Sequence, residues 1–341
     1  MTRKRVAIIG LGMAVKPHAE SYLALADRVE VACAYSPTAA RREAFAGQYG
    51  FPVTDDIDAI LADPTVDYVT ILTPPNTHLE LTQRCAAAGK HVLLEKPLEI
   101  SAERAGALVS ACRDAGLRLG IVLQHRFRPS AIRLREVMES GKLGTMIGAS
   151  VSVLNWRPQS YYDQPGRGDK DRNGGGVLMT QGIHTLDLFL SLAGMPAEVV
   201  GYAATTPVHR METEDMAGAA MKYDSGAIAT LTATTAAYPG FPEIITLYCE
   251  NGTASIEGAA LNVQYSDGTE ERFGGGDGAP GAGADPMAFT SDWHRALIED
   301  FLDALDEGRD PAIPGEAALN AHRLIDAILQ SSQSGAPVRL S

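Results

Sequence analysis

From residue 5 to residue 123, short aliphatic and β-branched runs alternate with segments of helical periodicity, and this beat limits the fold more than any composition figure does. Strands read at 5–9, 29–35, 68–72, 91–94 and 118–123; helices read at 17–25, 38–49, 57–61, 77–88 and 102–115. Asn76 and Ser101 suit N-caps, and Gly89 and Gly116 suit helix stops. Hydrophobic strands joined by helices imply a parallel sheet covered on both faces.

The beat then changes. A helix at 129–140, stopped by Gly141, leads to a strand at 146–154, a loop rich in Gly, Asp and Arg at 158–176, and a helix at 177–193. Strand-like runs follow at 198–205, 217–223, 227–234, 244–250, 254–257 and 261–265, with Asp224-Ser225-Gly226 and Asn251-Gly252 as hairpin turns. A large, mostly antiparallel sheet with helices on one face accounts for them. Residues 274–286 read as a mobile glycine-rich loop, and two amphipathic helices, 292–307 and 315–332, close the chain. The expected division is an α/β doubly wound domain over 1–123 and an α+β domain over 124–341.

Composition mainly excludes. No apolar run reaches the ~18 residues of a membrane span, and the basic start runs straight into a strand, unlike a signal peptide. The four cysteines form no CxxC pair, as buried thiols of a reducing cytoplasm would not. The eight histidines show no HxxxH or HExxH spacing, so no metal is expected. A net charge of −13 argues against nucleic acid and anionic membranes as partners.

Gly10-Leu11-Gly12-Met13-Ala14-Val15 follows the first strand and opens the first helix. Gly10 suits the tight turn and Gly12 a close approach of backbone to a pyrophosphate, so Gly12, Met13 and Ala14 are expected against a dinucleotide. The third glycine of the fingerprint is replaced by Val15. An NAD site usually carries an acid at the end of the second strand; here Ser36, Arg41 and Arg42 follow Tyr35, which tilts the reading from NAD to NADP.

Lys96 stands in GKHVLLEKP (residues 89–97), at the carboxyl end of a strand, where ligands of an open parallel sheet sit. With the Gly10/Gly12 turn, Thr73-Pro74-Pro75-Asn76-Thr77-His78, and Gly174-Gly175-Gly176 through Gln181-Gly182-Ile183-His184 to Asp187, it resembles the Gfo/Idh/MocA oxidoreductases along essentially the whole chain. The resemblance implies a Rossmann domain, a second domain whose open sheet makes a homodimer or homotetramer, and hydride exchange between NAD or NADP and a sugar, inositol or sugar nucleotide. It also implies cofactor contacts from Thr73, Pro74, Asn76, His78, Glu95 and Gln124, and Lys96 with His184 as the catalytic pair.

These residue types suit the chemistry. Oxidising a secondary alcohol needs a base near neutrality, which His184 offers, and a donor that favours alkoxide charge, which Lys96 offers. The family often has an aspartate where this chain has Thr180, so Gln181 or Asp187 is left to orient His184. Trp156 and Tyr161 suit stacking on a pyranose, and the loop arginines, Arg157 and Arg167, suit a carboxylate or phosphate; Arg126, Thr180 and Gln181 complete the expected substrate contacts. His125 and Arg126 read either as substrate contacts or as interdomain hydrogen bonds. A glycosidase using tightly bound NAD transiently, and a non-catalytic dinucleotide or sugar sensor, are the alternative functions.

Overall fold

A computed structural model of the chain describes residues 3–275 and 290–340; most of the segment expected as a mobile loop at 274–286 lies outside them. The elements, in order, are β1 (Lys4–Ile9), α1 (Val15–Ala24), β2 (Val29–Tyr35), α2 (Ala39–Tyr49), β3 (Val53–Thr54), α3 (Ile57–Ala62), β4 (Tyr68–Ile71), α4 (His78–Ala87), β5 (His91–Glu95), α5 (Ala102–Asp114) and β6 (Leu119–Val122). There follow α6 (Pro129–Glu139), β7 (Met146–Leu154), α7 (Gln159–Tyr162), α8 (Lys170–Asn173), α9 (Ile183–Ala193), β8 (Glu198–Ala204), β9 (Met216–Lys222), β10 (Ile228–Thr234), β11 (Ile244–Cys249), β12 (Gly252–Glu257), β13 (Ala260–Tyr265) and β14 (Glu270–Phe273). The chain closes with α10 (Asp292–Glu307), α11 (Gly315–Ser334) and β15 (Val338–Arg339).

The contacts divide into two units, Met1–Gln124 with Thr290–Leu319, and His125–Phe289 with Asn320–Ser341. The first holds a six-stranded parallel sheet in the order β3-β2-β1-β4-β5-β6, the doubly wound order that the strand–helix beat implies. β1, β4 and β5 are buried almost end to end because helices cover both faces. Ser101 caps α5 as expected, accepting from the Arg104 amide. Asn76 does not cap α4: residues Pro75–Thr77 form a 3₁₀ turn, and the cap position falls to Thr77.

One segment changes unit. The sequence reading placed everything from 124 onward in the second domain, but α10 packs on α1 and β6 of the first. Its Leu297, Ile298, Phe301 and Leu302 are buried at helical spacing, and the Phe301 ring meets Tyr68 edge-on at 5.3 Å. Gly120 of β6 makes room, since a Cβ there would lie 2.7 Å from Phe301 Cδ2. Burying one such aromatic contributes about 1.5–3 kcal/mol, so the amphipathic face of α10 is a large part of what closes this unit. Beyond α10, Ile313 accepts the Ile121 amide and Pro314 bridges Gly120, covering the β6 edge.

The second unit holds a nine-stranded sheet in the order β14-β13-β12-β11-β7-β10-β9-β8-β15, antiparallel except for β10 beside β7. Alternation sorts its two faces. Val199, Met221, Ala229, Leu231, Val151, Leu247, Ala254 and Val263 are buried on one face, with α6 and α9 against this sheet. On the other face Tyr202, Ile228 and Tyr248 are exposed among Ser, Thr and Gly.

Candidate functional site

Parallel strands bring their carboxyl ends to one edge of the first sheet, and the order reverses between β1 and β4, where a doubly wound sheet holds its ligand. Gly10 sits there at φ 108°, and a Cβ would lie 2.8 Å from the Leu72 carbonyl carbon, so only glycine is accommodated. At Gly12 a Cβ would meet nothing within 4 Å. The N-cap position of α1 is Ala14, and no side chain caps that helix. An open backbone at an uncapped helix N-terminus fits the phosphates of a dinucleotide. Met13 beside it is 55% exposed.

After β2, Ser36 is buried, and its hydroxyl accepts the Thr38 amide at 3.3 Å, so it shapes the turn. The two arginines part company. Arg42 donates to the Ser36 carbonyl at 2.7 Å and to Asp55 at 3.0 Å, whereas Arg41 is exposed.

After β4, Thr73 and Pro74 are half-buried and Asn76 is exposed. His78 was expected to line the cofactor beside them; instead it is fully buried. Its Nε2 meets the Thr73 carbonyl at 2.8 Å and its Nδ1 the carbonyls of Pro97 and Leu98 at 3.0 and 3.1 Å. His78 therefore ties this loop to the turn that carries Lys96. Burial depresses its pKa, against the opposing pull of those carbonyls.

Glu95 ends β5 turned toward its own unit. Its Oε1 meets His18 Nε2 at 2.9 Å, its Oε2 accepts the Lys96 amide at 3.1 Å, and the His18 ring packs edge-on against His294 at 5.2 Å. Burial pushes the Glu95 pKa up, but the His18 hydrogen bond and nearby positive charge carry it below the usual carboxylate value. Burial pushes His294 down to about 3. Ligand atoms of these three residues lie within 4.8 Å of one another, a closeness that the His18–Glu95 hydrogen bond explains. Gln124 is buried, and its Oε1 has no hydrogen-bond partner among the described residues, which fits a group awaiting a ligand donor.

In the second unit the triple glycine has a steric cause. Gly174 ends α8 at φ 76°, and a Cβ on Gly176 would lie 1.7 Å from the Glu214 carbonyl oxygen. The Glu214 carboxylate, itself buried, accepts the Gly176 and Leu178 amides at 2.9 and 3.1 Å. It thereby caps the π-helical turn Leu178–Gly182 that leads into α9 and His184. Burial raises the Glu214 pKa against these hydrogen bonds. No sequence signal pointed to Glu214.

The expected substrate residues separate here. Tyr161, Thr180 and Gln181 line one recess together with Arg167, from the loop that precedes the glycine run. Arg167 lies 4.6 Å from the Tyr161 ring centroid and donates to its hydroxyl at 2.8 Å. Arg157 is buried and donates to the Trp156 carbonyl at 2.8 Å. Trp156 meets Tyr238 edge-on at 5.5 Å.

Arg126, expected against substrate, is engaged by a carboxylate. It binds Asp187 through two hydrogen bonds, Nε to Oδ2 at 2.6 Å and a terminal nitrogen to Oδ1 at 2.5 Å, and Asp187 is 1% exposed. A guanidinium matched in this way to a buried carboxylate is held firmly within its own unit. Asp187 is thus engaged by Arg126, and Gln181 by the Thr180 hydroxyl. The His184 ring stacks on that of His125, at 4.7 Å between centroids with planes 26° apart. Lys96 lies in the first unit and His184 in the second.

Residues 4–122 match the model of an oxidoreductase family with an NAD-binding Rossmann fold, and residues 131–255 match the C-terminal domain of the same family. A D-xylose 1-dehydrogenase (NADP(+)) of Haloferax volcanii is 30% identical, over 92% of this chain and 93% of that protein. An inositol 2-dehydrogenase of Rhizobium meliloti is 29% identical over 96% of each. The solved WlbA dehydrogenase of Bordetella pertussis, in complex with NADH and UDP-GlcNAcA, aligns over 100% of this chain and 99% of its own, with a TM-score of 0.85 at 27% identity. With the Gly10–Gly12 cradle in one unit and the glycine-led His184 helix in the other, these matches place the chain in the Gfo/Idh/MocA oxidoreductase family.

Proposed function

We propose that this protein is an NAD(P)-dependent dehydrogenase of a sugar, an inositol or a sugar derivative, sugar nucleotides included. The carrying observation is the cradle at Gly10–Ala14, open at Gly12 and uncapped at α1, in a chain that also keeps both Lys96 and His184. A bound nicotinamide supplies a hydride acceptor. Gly12, Met13 and Ala14 would hold its pyrophosphate, and Thr73, Pro74, Asn76 and the Gln124 carboxamide would contact its nicotinamide end. His184 takes the hydroxyl proton of the substrate, and the Lys96 ammonium stabilises the developing alkoxide. Lys96 is held from behind: Glu95 receives its amide, and His78 ties down the carbonyls of the two following residues.

Relatives named for D-xylose and inositol, and a neighbour holding UDP-GlcNAcA, support the substrate class. The recess with Tyr161, Thr180, Gln181 and Arg167 suits a polyhydroxylated ligand. Exposed Arg41, with Arg42 already engaged by Asp55, favours NADP. The uncovered face of the large sheet, with Tyr202, Ile228 and Tyr248 exposed, supports a homodimer or homotetramer. Four free cysteines suit a reducing cytoplasm, and no helix among the described residues is long and apolar enough to cross a membrane.

A panel of sugars, polyols and sugar nucleotides, followed by reduced-nicotinamide absorbance with NAD and NADP separately, tests the reading. Lys96→Ala and His184→Ala should each lower turnover by roughly 10²–10⁴-fold while cofactor affinity changes far less. Release of a free glycone without net NADPH or NADH would instead indicate a glycosidase. Tight dinucleotide binding with no turnover of any member would indicate a sensor.

A further inference from the structure

We propose that His125 is a positioning residue, a flat plate that holds the ring plane of His184 by stacking and is itself locked in one tautomer by Arg128. The proposal rests on the reading of His184 as the proton acceptor. His125 lies on the 3₁₀ turn Gln124–Phe127 that precedes α6, and its ring lies 4.7 Å from that of His184 on α9, with planes 26° apart. Imidazole χ2 is a soft, roughly two-fold torsion, so a helix alone does not set where the His184 nitrogens point. A stacked neighbouring ring fixes the plane in which they lie, leaving only the two flip states within it.

Arg128 and Glu243 fix the plate. Arg128, at the N-cap position of α6 and 7% exposed, brings a terminal nitrogen to 2.7 Å from His125 Nε2. A guanidinium only donates, so Nε2 must accept and the ring proton must sit on Nδ1. Arg128 cannot swing away: its other terminal nitrogen is paired with Glu243 and donates to the Gly258 carbonyl at 3.2 Å. The His125 Nδ1 faces the same Glu243 carboxylate at 4.0 Å. While Arg128 donates to Nε2, that nitrogen cannot take a proton from substrate. The stacked pair therefore has divided roles, with His184 exchanging the proton and His125 orienting it.

The test uses the full chain labelled in histidine rings, with the His184 resonances identified by their loss in His184→Gln. His125→Ala should remove the ring-current displacement of the His184 signals, and His125→Phe, which keeps a flat face, should restore it. Arg128→Met should leave the stack but replace the single His125 tautomer by an exchanging mixture, read from its nitrogen shifts. On any substrate the enzyme oxidises, His125→Ala should lower kcat by roughly 10–10²-fold, the scale of a misplaced catalytic group, with the KM for cofactor nearly unchanged and with substantial rescue by His125→Phe. Unmoved His184 signals in His125→Ala, or equal kinetic losses in the alanine and phenylalanine variants, would overturn the proposal. Full turnover by His184→Ala would overturn the catalytic reading while leaving the resonance test of the stack intact.

Discussion

Arg126→Met separates a substrate ligand from a structural ion. In the native protein Arg126 gives Asp187 two short hydrogen bonds, and the carboxylate is 1% exposed. Removing one partner of a buried pair costs about 3–5 kcal/mol, because a charge stays behind without compensation. Burial already pushes the Asp187 pKa up, and Arg126 opposes it. In the variant that opposition is gone and the carboxyl can neutralise by taking a proton, so the lower figure, about 3 kcal/mol, is expected. At about 2–4 °C per kcal/mol for a domain the size of the second unit, that unit's melting midpoint should fall by about 6–12 °C. The penalty should be largest at high pH, where the carboxyl is ionised. It should shrink as the pH falls toward the raised Asp187 value. The double variant Arg126→Met/Asp187→Leu removes both charges and should recover most of the loss, giving a large coupling energy in a double-mutant cycle. An unchanged midpoint with a raised KM for sugar would restore Arg126 as a substrate contact and refute this argument.

Three further outcomes are expected. Gly12→Leu should abolish dinucleotide binding in calorimetry while leaving the melting midpoint near wild type, since a side chain there meets no protein atom within the first 4 Å; retained affinity would remove the pyrophosphate from this turn. Arg41→Ala should weaken NADP more than NAD, and equal effects would make Arg41 a solvated helix residue. His294 is held neutral, with its pKa lowered from 6.5 to about 3, so the unfolded chain binds the extra proton and stability falls as the pH drops below 6.5. Between neutrality and about pH 5 the loss is about 2 kcal/mol at 1.36 kcal/mol per unit, and His294→Gln should lack that part of the pH dependence in urea titrations; parallel curves for the two proteins would contradict it.

Local periodicity carries the architecture. Hydrophobic runs spaced by amphipathic segments are enough to locate β1, β2, β4, β5 and β6 to within two residues at either end, and period-two alternation locates β7 to β13 in the same way. Backbone demands at single positions were legible too, because Gly10 stands where only a left-handed residue fits and Ser101 where a helix needs a cap. The two-residue strands β3 and β15, the edge strand β14 and the short helices α7 and α8 were not legible, since too few residues are present for a period to show.

What the tertiary structure decided is pairing across distance. The amphipathic stripe of α10 announces burial but not against which sheet, and Phe301 fitting over Gly120 settles it. His78, Arg126 and Glu214 each looked like either a ligand group or nothing in particular. Their partners lie 19 to 61 positions away, at Pro97, Asp187 and Gly176. A charge or an imidazole in a sequence carries no mark of whether the fold will bring it a matching backbone or carboxylate. Desolvation decides that, and desolvation is a property of the packed chain.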